Sequence, residues 1–247
     1  MSFILSLDQG TTSSRAILFD KEARIEGVGQ YEFPQIFPQP GWVEHDAEKI
    51  WETQCQSIDA ALKSARAEWE DIEAIGITNQ RETIVIWNRE SGKPIANAIV
   101  WQDRRTASFC ENLKNEGKEE WIQSKTGLLL DPYFSATKIK WILDEILGAR
   151  ELAKSGNLAV GTMDSWLIWN LTEGESHITD VSNASRTLLM DLKSLEWDTE
   201  LLELFEIPAS LLPEIVDSSG SLAMSSGRVT KRPIPISGIA GDQQAAL

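Results

Sequence analysis

Residues 3–20, FILSLDQGTTSSRAILFD, decide the fold class that the sequence predicts. The apolar segments FILSLD (3–8) and SRAILFD (14–20) predict two strands joined by a tight turn. The first strand ends on Asp8, and the turn that follows reads Gln-Gly-Thr-Thr-Ser-Ser. A buried strand that ends on a carboxylate and continues into glycine and four hydroxyl side chains is compatible with a turn that also binds a ligand.

The residue types of this turn suit phosphate oxygens. Gly10 has no Cβ, so backbone N–H groups can converge on one point. Asp8 would lie beside that point and could hold Mg²⁺ directly or through water, while Arg15 can add positive charge. An ordinary hairpin, whose polar residues only form the turn, explains the same letters equally well. The hydroxyl donors of the turn are Thr11, Thr12 and Ser13.

The rest of the chain alternates between strand and helix patterns, which predicts a mixed α/β sheet flanked by helices. Asp46 is expected to cap a long helix over roughly 47–66. The chain stops inside an apolar-faced helix, so we expect it to be a fragment of a longer protein. The other predictions are a mostly antiparallel strand at 23–33, strands at 72–79, 83–88 and 94–101, a mainly helical region at 104–171, a connector at 207–220, and a strand, Gly-Asp turn and helix start at 233–247.

The composition excludes several classes of protein. The formal net charge is −15, and no run of Lys or Arg forms a stripe, which argues against nucleic acid and anionic membrane surfaces. Cys55 and Cys110 lie in no CxxC or metal-binding pattern, as is typical of reduced thiols in a cytoplasmic protein. The N-terminus lacks the basic region of a signal peptide, and no apolar stretch is long enough to insert into a membrane.

Polar and aromatic residues also follow three of the predicted strands. GITNQRETIVIW (76–87) places Arg81 and Glu82 in a turn, and GIAGDQQAAL (238–247) places Asp242 at a helix start. Each hydroxyl of a small polyol is both donor and acceptor, so a guanidinium beside a carboxylate can satisfy it. A carboxylate within reach can also take the hydroxyl proton as phosphorus is attacked. The third stretch, IVWQDRRT (99–106), contributes Trp101, Asp103, Arg104 and Arg105.

Each of these residues also has a plain structural explanation. Arg81 and Glu82 could be an exposed pair of little energetic value, and Trp101 could be a core residue. Asp242 could be a helix N-cap, a position that Asp favours. Tyr133 could be a packing residue with a solvated hydroxyl. These residues occur together with the turn of residues 8–15, called the phosphate-type turn below. This combination favours a binding site over the separate explanations.

Two segments carry a family resemblance. DQGTTSSRA (8–16) resembles the first phosphate-binding hairpin of the actin-like ATPase superfamily, and YFSATKIKWILDE (133–145) resembles the signature of the FGGY carbohydrate kinases. By its pattern alone, the second segment is an amphipathic helix with a polar start. The resemblance extends over essentially the whole chain. It implies an α/β actin-like ATPase (ribonuclease H-like) domain, residues 1–247, whose C-terminal partner domain is absent.

Within the family, the resemblance is closest to members that phosphorylate glycerol to sn-glycerol 3-phosphate with ATP and Mg²⁺. It implies that Asp242 is the general base, that Asp8 organises Mg²⁺, and that the missing half completes the adenosine pocket. This chain alone should therefore be a poor catalyst, and the parent protein should be a homo-oligomer. The residues implied to hold glycerol are Arg81, Glu82, Trp101, Tyr133, Asp242 and Gln243, and those implied to contact the ATP phosphates are Thr11, Thr12, Ser13 and Arg15.

Three other functions remain open from the sequence. The chain could belong to an FGGY kinase for another polyol or a ketose, although xylulose-specific members carry other residues where this chain has NQRE (79–82) and GDQQAAL (241–247). A non-catalytic polyol-binding module would keep the fold but needs no general base. A ribonuclease-H-like nuclease shares the sheet and uses clustered carboxylates, but the acidic balance disfavours nucleic acid.

Overall fold

The structure is a computed structural model that describes residues 2–247. Its strands are β1 (Phe3–Gln9), β2 (Ser13–Phe19), β3 (Ile25–Glu32), β4 (Glu44–His45), β5 (Ile72–Asn79), β6 (Ile84–Asn88), β7 (Ala98–Ile99), β8 (Leu158–Thr162), β9 (Ile178–Asp180), β10 (Met190–Asp191), β11 (Glu196–Trp197), β12 (Glu214–Val216), β13 (Ser219–Met224) and β14 (Pro235–Gly241). Its α-helices are α1 (Ala47–Ala65), α2 (Ala107–Asn115), α3 (Glu119–Thr126), α4 (Ser135–Glu145), α5 (Ala149–Lys154), α6 (Met163–Leu171), α7 (Val181–Ala184), α8 (Thr199–Leu204) and α9 (Asp242–Ala245). Short 3₁₀ turns cover Trp69–Asp71 and Ala209–Leu211. The predicted mixed α/β class is confirmed.

The main sheet has six strands in the order β13-β14-β5-β1-β2-β3. Strands β1, β2 and β3 are antiparallel neighbours, whereas β5 is parallel to both β1 and β14. The ends of the three parallel strands are in register, because Asn79 pairs with Gln9 on one side and with Gly241 on the other. Segments far apart in sequence therefore leave the sheet next to one another, at the C-terminal end of these strands.

A second sheet, in the order β4-β7-β6-β8, lies beyond the main one. One hydrophobic core packs the main sheet against α1 and α6, with Leu5, Leu62 and Leu167 as members. Another packs the second sheet against the helices of residues 107–154, with Ile84 and Ile139 as members. The C-terminal ends of β1, β5 and β14 lie side by side, and the turns that follow these three strands meet there.

Helix α1 lies directly on the backbone of β3. A Cβ at Gly27 would come within 2.4 Å of the Ala61 carbonyl oxygen, so this position requires glycine. The helix also binds β2 through buried polar side chains. Ser57 Oγ donates to the Ser14 carbonyl at 2.8 Å, and Gln54 Nε2 donates to the Arg15 carbonyl at 3.0 Å. The strand that leaves the phosphate-type turn is thus fixed by hydrogen bonds as well as by apolar packing.

The predictions for the N-terminal part are confirmed. The two strands flanking the turn form β1 and β2, and the third strand pairs antiparallel as expected. Asp46 caps α1 by accepting hydrogen bonds from the backbone N–H groups of Glu48 and Lys49 at 2.9 and 3.1 Å. Strong local signals explain this success, since a cap followed by a long amphipathic run needs no distant contacts to define it.

The region 104–171 is mainly helical, as predicted, and it also contains β8, whose five residues are all buried and therefore show no alternation. Two other predictions were wrong. The strand predicted at 94–101 is reduced to β7, and Pro94 pairs with β6 only as an isolated bridge to Trp87. The segment 207–220 is not a simple connector, because β12 pairs in parallel with β9 and β13 joins the main sheet. Such pairings depend on distant partners that local sequence does not reveal.

Candidate active site

The β1–β2 turn is closed by a hydrogen bond from the Gly10 backbone N–H to the Ser13 carbonyl at 2.9 Å. Its hydroxyl oxygens already act as acceptors. Thr11 Oγ1 accepts from Trp101 Nε1 at 3.1 Å, and Ser13 Oγ accepts from Gln30 Nε2 at 3.2 Å. These bonds orient the hydroxyl groups and leave each O–H to donate to an anion. Thr12 is exposed beside them, so the predicted turn residues form one polar surface.

Asp8 and Arg15 face each other across the hairpin, as their paired register requires. Arg15 Nη1 lies 3.5 Å from Asp8 Oδ2, and the two side chains are 40% and 33% exposed. Burial raises the pKa of Asp8; the Arg15 charge opposes this shift and the Asp242 charge reinforces it. Asp242 comes from the far end of the chain, but the strand that precedes it, β14, ends beside β5 at the level where β1 ends.

Asp242 is the first residue of α9, immediately after β14. Its Oδ1 lies 3.2 Å from Arg81 Nε, in a pair whose arginine is mostly buried and whose aspartate is 45% exposed. Gly241, and not Asp242, is the N-cap, so the capping explanation for this aspartate does not hold. A Cβ at Gly241 would lie 2.5 Å from Arg81 Cδ. The backbone is anchored as well, because the Gly241 N–H donates to Ser182 Oγ at 2.8 Å.

Glu82 is a buried carboxylate in a left-handed backbone conformation, with φ of +61°. Glu82 therefore does not form the exposed ion pair with Arg81 that was one explanation of the sequence. Instead, Arg186 Nε donates to Glu82 Oε1 at 2.7 Å. Burial raises the pKa of Glu82, and the Arg186 charge opposes that shift. A non-glycine residue held with positive φ costs backbone energy, and such strain concentrates at functional sites.

Aromatic rings form a wall beside this ion pair. The Trp101 and Tyr133 ring centroids are 5.4 Å apart, and the Arg186 guanidinium lies 4.9 Å from the Phe134 ring. Burial raises the pKa of Tyr133, and the Glu82 charge adds to the shift. The predicted polyol residues Arg81, Glu82, Trp101, Tyr133 and Asp242 thus occupy one region, with Gln243 exposed next to Asp242.

Gln80 links this region to the phosphate-type turn. Its buried Nε2 donates to Gln9 Oε1 at 3.1 Å and to the Gly10 carbonyl at 3.2 Å. On its other side, Gln80 Oε1 accepts from Thr83 Oγ1 at 3.0 Å, and Thr83 Oγ1 accepts from the Trp101 N–H at 3.2 Å. The Trp101 indole N–H completes this chain of hydrogen bonds, because it donates to Thr11 in the turn. Neither Gln80 nor Arg186 was predicted from the sequence.

Asp103 and Arg105, which the sequence placed with the polyol residues, form a separate structural network. The Arg105 guanidinium lies between Trp42 and Trp141, 3.8 and 4.5 Å from the ring centroids. It pairs with Asp103 and Glu44, and the side chains of Arg105 and Asp103 are each 1% exposed. Arg104 instead pairs with Asp131 near the surface. Buried groups satisfied in this way hold the loop that follows β7.

No group of three or more His, Cys, Asp or Glu side chains within residues 2–247 is arranged to hold a metal ion. Asp8 nevertheless offers a partly exposed carboxylate, and its arginine partner is at a loose 3.5 Å. Mg²⁺ commonly takes one or two carboxylates and fills its remaining positions with water and phosphate oxygens. The residues present fit that mode of binding. In the same described part of the chain, no helix has both the length and the apolarity to cross a membrane.

The sequence matches the family model described as the FGGY family of carbohydrate kinases, N-terminal domain, over residues 3–247. The chain therefore belongs to the FGGY family of carbohydrate kinases. It is 59% identical to the glycerol kinase of Paraburkholderia xenovorans over 245 residues, and 60% identical to that of a Janthinobacterium species over 244 residues. Each alignment covers 99% of this chain and 49% of the relative. The chain thus spans about half the length of the curated relatives it matches.

Solved structures give the same result for the fold. The Plasmodium falciparum glycerol kinase with ADP superposes with a TM-score of 0.94 at 37% identity, covering 100% of this chain and 49% of that one. A xylulose kinase from Lactobacillus acidophilus superposes with a TM-score of 0.86 at 23% identity, covering 98% of this chain and 48% of that one. The latter likeness shows the fold alone. The expected actin-like ATPase fold, with a mixed sheet flanked by helices, is confirmed.

Proposed function

We propose that this chain is the N-terminal half of an ATP-dependent glycerol kinase, which converts glycerol to sn-glycerol 3-phosphate. The observation that carries the proposal is the position of Asp242. Its carboxylate lies 3.2 Å from Arg81 of the polyol-type cluster, which also contains Glu82, Trp101, Tyr133 and Arg186. The preceding Gly241 pairs with Asn79, which pairs with Gln9 at the start of the phosphate-type turn, so Asp242 adjoins both parts of the site. The identity to glycerol kinases over nearly the whole chain supports glycerol as the substrate.

In the proposed reaction, Asp242 accepts the proton of a terminal glycerol hydroxyl as its oxygen bonds to the γ-phosphorus of ATP. The bond between phosphorus and the β,γ-bridging oxygen breaks, and ADP leaves with that electron pair. Asp242 suits this role because it is half exposed and its partner, Arg81, orients one carboxylate oxygen. The other oxygen remains available to the substrate hydroxyl.

The other polyol residues would fix the orientation of glycerol. Arg81 donates and Glu82 accepts, so one substrate hydroxyl can satisfy both. Arg186 opposes the rise in the Glu82 pKa that burial causes, and its hydrogen bond orients the carboxylate. The rings of Trp101 and Tyr133 pack against the carbon chain, and Gln243 adds an amide at the open side. This arrangement suits a short carbon chain that carries adjacent hydroxyl groups.

The phosphates of ATP would bind the β1–β2 turn. The hydroxyls of Thr11, Thr12 and Ser13 donate to phosphate oxygens, and Arg15 supplies positive charge. Asp8 would hold Mg²⁺, which neutralises charge on the phosphates when bound. The C-terminal half of the full-length protein would supply the adenosine pocket. We also propose that the full-length protein is a homo-oligomer and lies in the cytoplasm.

The test measures ADP formation from Mg-ATP with glycerol, xylulose, ribulose and erythritol. The present chain is assayed beside the full-length protein that contains it. We expect glycerol-dependent turnover in the full-length protein and little in the half. Preference for another substrate would keep the kinase family and reject glycerol. Glycerol binding without turnover by the full-length protein would favour a non-catalytic binding module.

A further inference from the structure

Lys138, on the first turns of α4, is a buried cation whose charge is not used by the proposed reaction. Its side chain is fully buried, and it forms no ion pair with a carboxylate of residues 2–247. The ammonium group instead donates to three consecutive backbone carbonyls. The acceptors are those of Pro132 at 2.8 Å, Tyr133 at 2.5 Å and Phe134 at 3.0 Å.

This position is costly for a lysine. Burial strips water from the ammonium group and lowers the pKa of Lys138 to about 7, although the charges of Glu82 and Asp103 oppose the shift. The positive end of the α4 dipole adds a further penalty. Only the protonated amine has three N–H donors, and each of them has an acceptor here. A buried group that is fully satisfied and locally unfavourable fixes the geometry of whatever it binds.

The bound segment is the turn before α4. Helical side chains tilt toward the helix N-terminus, so a long side chain at position 138 reaches back to residues 132–134. The same turn is held on its other side by Asp131, whose Oδ1 accepts from the Tyr133 N–H at 2.8 Å. It carries the Tyr133 ring next to Trp101, and the Phe134 ring under the Arg186 guanidinium that binds Glu82.

We propose that Lys138 is a positioning residue for the polyol site: its three hydrogen bonds hold residues 132–134 so that Tyr133 stands beside Trp101 and Glu82. This inference rests on the proposed glycerol site. It also gives a physical role to Lys138 within the YFSATKIKWILDE segment. The amphipathic pattern of that segment does not by itself explain a charged residue on the buried face of the helix.

The test uses the full-length enzyme with Lys138→Met, which keeps the apolar stem and removes the donors. Ile142→Ala, a buried substitution on the same helix, is the matched control for lost stability. We expect Lys138→Met to raise the glycerol KM by about tenfold, because the Tyr133 ring is no longer held where it packs against glycerol, and to leave the ATP KM within about twofold. Ile142→Ala should lower Tm while both KM values stay close to wild type.

A double-mutant cycle with Tyr133→Ala, which removes the ring that packs beside Trp101, separates positioning from general damage. If Lys138 acts through Tyr133, the effect of Tyr133→Ala on the glycerol KM should largely disappear in the Lys138→Met background. Additive effects, or an unchanged glycerol KM in Lys138→Met, would overturn the proposal. If Lys138→Met does not fold, Lys138→Gln, which keeps two donors, replaces it in the same cycle.

Amide hydrogen exchange of residues 131–136 gives a readout that does not depend on activity. Faster exchange in Lys138→Met than in Ile142→Ala is expected, because the turn loses its anchor only in the first variant. Equal exchange in both variants would contradict the anchor. A wild-type enzyme that fails to phosphorylate glycerol, with faster exchange in Lys138→Met, would reject the proposed substrate and keep the anchor.

Discussion

The two parts of the candidate active site are built in different ways. The phosphate-type turn uses consecutive residues, 8–15, whose mutual positions follow from a single antiparallel register. The polyol-type cluster brings together Arg81, Tyr133 and Arg186 with Asp242 from segments far apart in sequence. Its central carboxylate, Glu82, is buried, whereas Thr12 at the tip of the turn is exposed to solvent. A short motif can encode the proposed phosphate contacts, whereas the proposed polyol site depends on the topology of the whole sheet.

The largest expected effect comes from the residue where the two parts meet. Asp242→Asn in the full-length enzyme should lower kcat by about 10²–10⁴-fold, the usual contribution of a general base. The glycerol KM should change only a few-fold, because the amide still contacts Arg81. Steady-state kinetics check this, with Asp59→Asn, an exposed change on α1, as the control. Unchanged turnover in Asp242→Asn would refute the assigned base.

The turn should respond separately from the polyol cluster. Arg15→Met is expected to reduce kcat/KM for ATP by about tenfold or more, because a charge-assisted contact to phosphate is lost. The glycerol KM should stay near wild type. Arg24→Met, which removes an exposed arginine paired with Asp20 outside the site, is the control. Equal losses for both substrates would mean that the two parts do not act independently.

Gln80 should be the exception to this independence. Gln80→Leu keeps the volume but removes the hydrogen bonds that join Gly10 to Thr83. We therefore expect the KM values for ATP and glycerol to rise together, each by roughly three- to tenfold for lost neutral hydrogen bonds. Thr53→Val, which removes a buried hydroxyl near Ser14 but leaves this link intact, is the comparison. A rise for only one substrate would show that the link is not shared.

The smallest effect at neutral pH should come from His45, which lies beside Gln80. Burial lowers the pKa of His45 to about 4, and its Nδ1 lies 3.4 Å from Gln80 Nε2. The unfolded chain binds a proton near pH 6.5, so the free energy of unfolding should fall as pH drops from about 6.5 to 4. The loss is on the order of 3 kcal/mol for this residue.

Urea unfolding of the full-length protein at pH 7 and 4.5 measures this loss. His45→Gln can still donate to Gln35 and accept from Gln80, so it should reduce the acid-induced loss without affecting neutral stability. Part of the loss will persist, because burial also lowers the pKa of His177 to about 4. An identical pH dependence in wild type and His45→Gln would show that His45 is not responsible.

The same contrast explains how far the sequence could predict the site. The turn, the α1 cap and the start of α9 follow from local patterns, and all of them were predicted. Arg186 was missed because it lies 104 residues from Glu82. A buried glutamate requires a cation, but the chain has 23 Lys and Arg residues and no local signal that selects one. Asp103 and Arg105 were misplaced for the same reason, since their partners Trp42 and Trp141 come from other segments.

The late position of β14 in the chain has a consequence for biosynthesis. Until residues 235–241 leave the ribosome, β5 has no partner on one side, and its IEAIGITN backbone is an open, apolar edge. Unpaired edges of this kind invite pairing with other nascent chains. Chaperone protection should therefore matter most between translation of β5 and of β14. Asp242 follows directly, so the proposed general base reaches the candidate site only when the central sheet is complete.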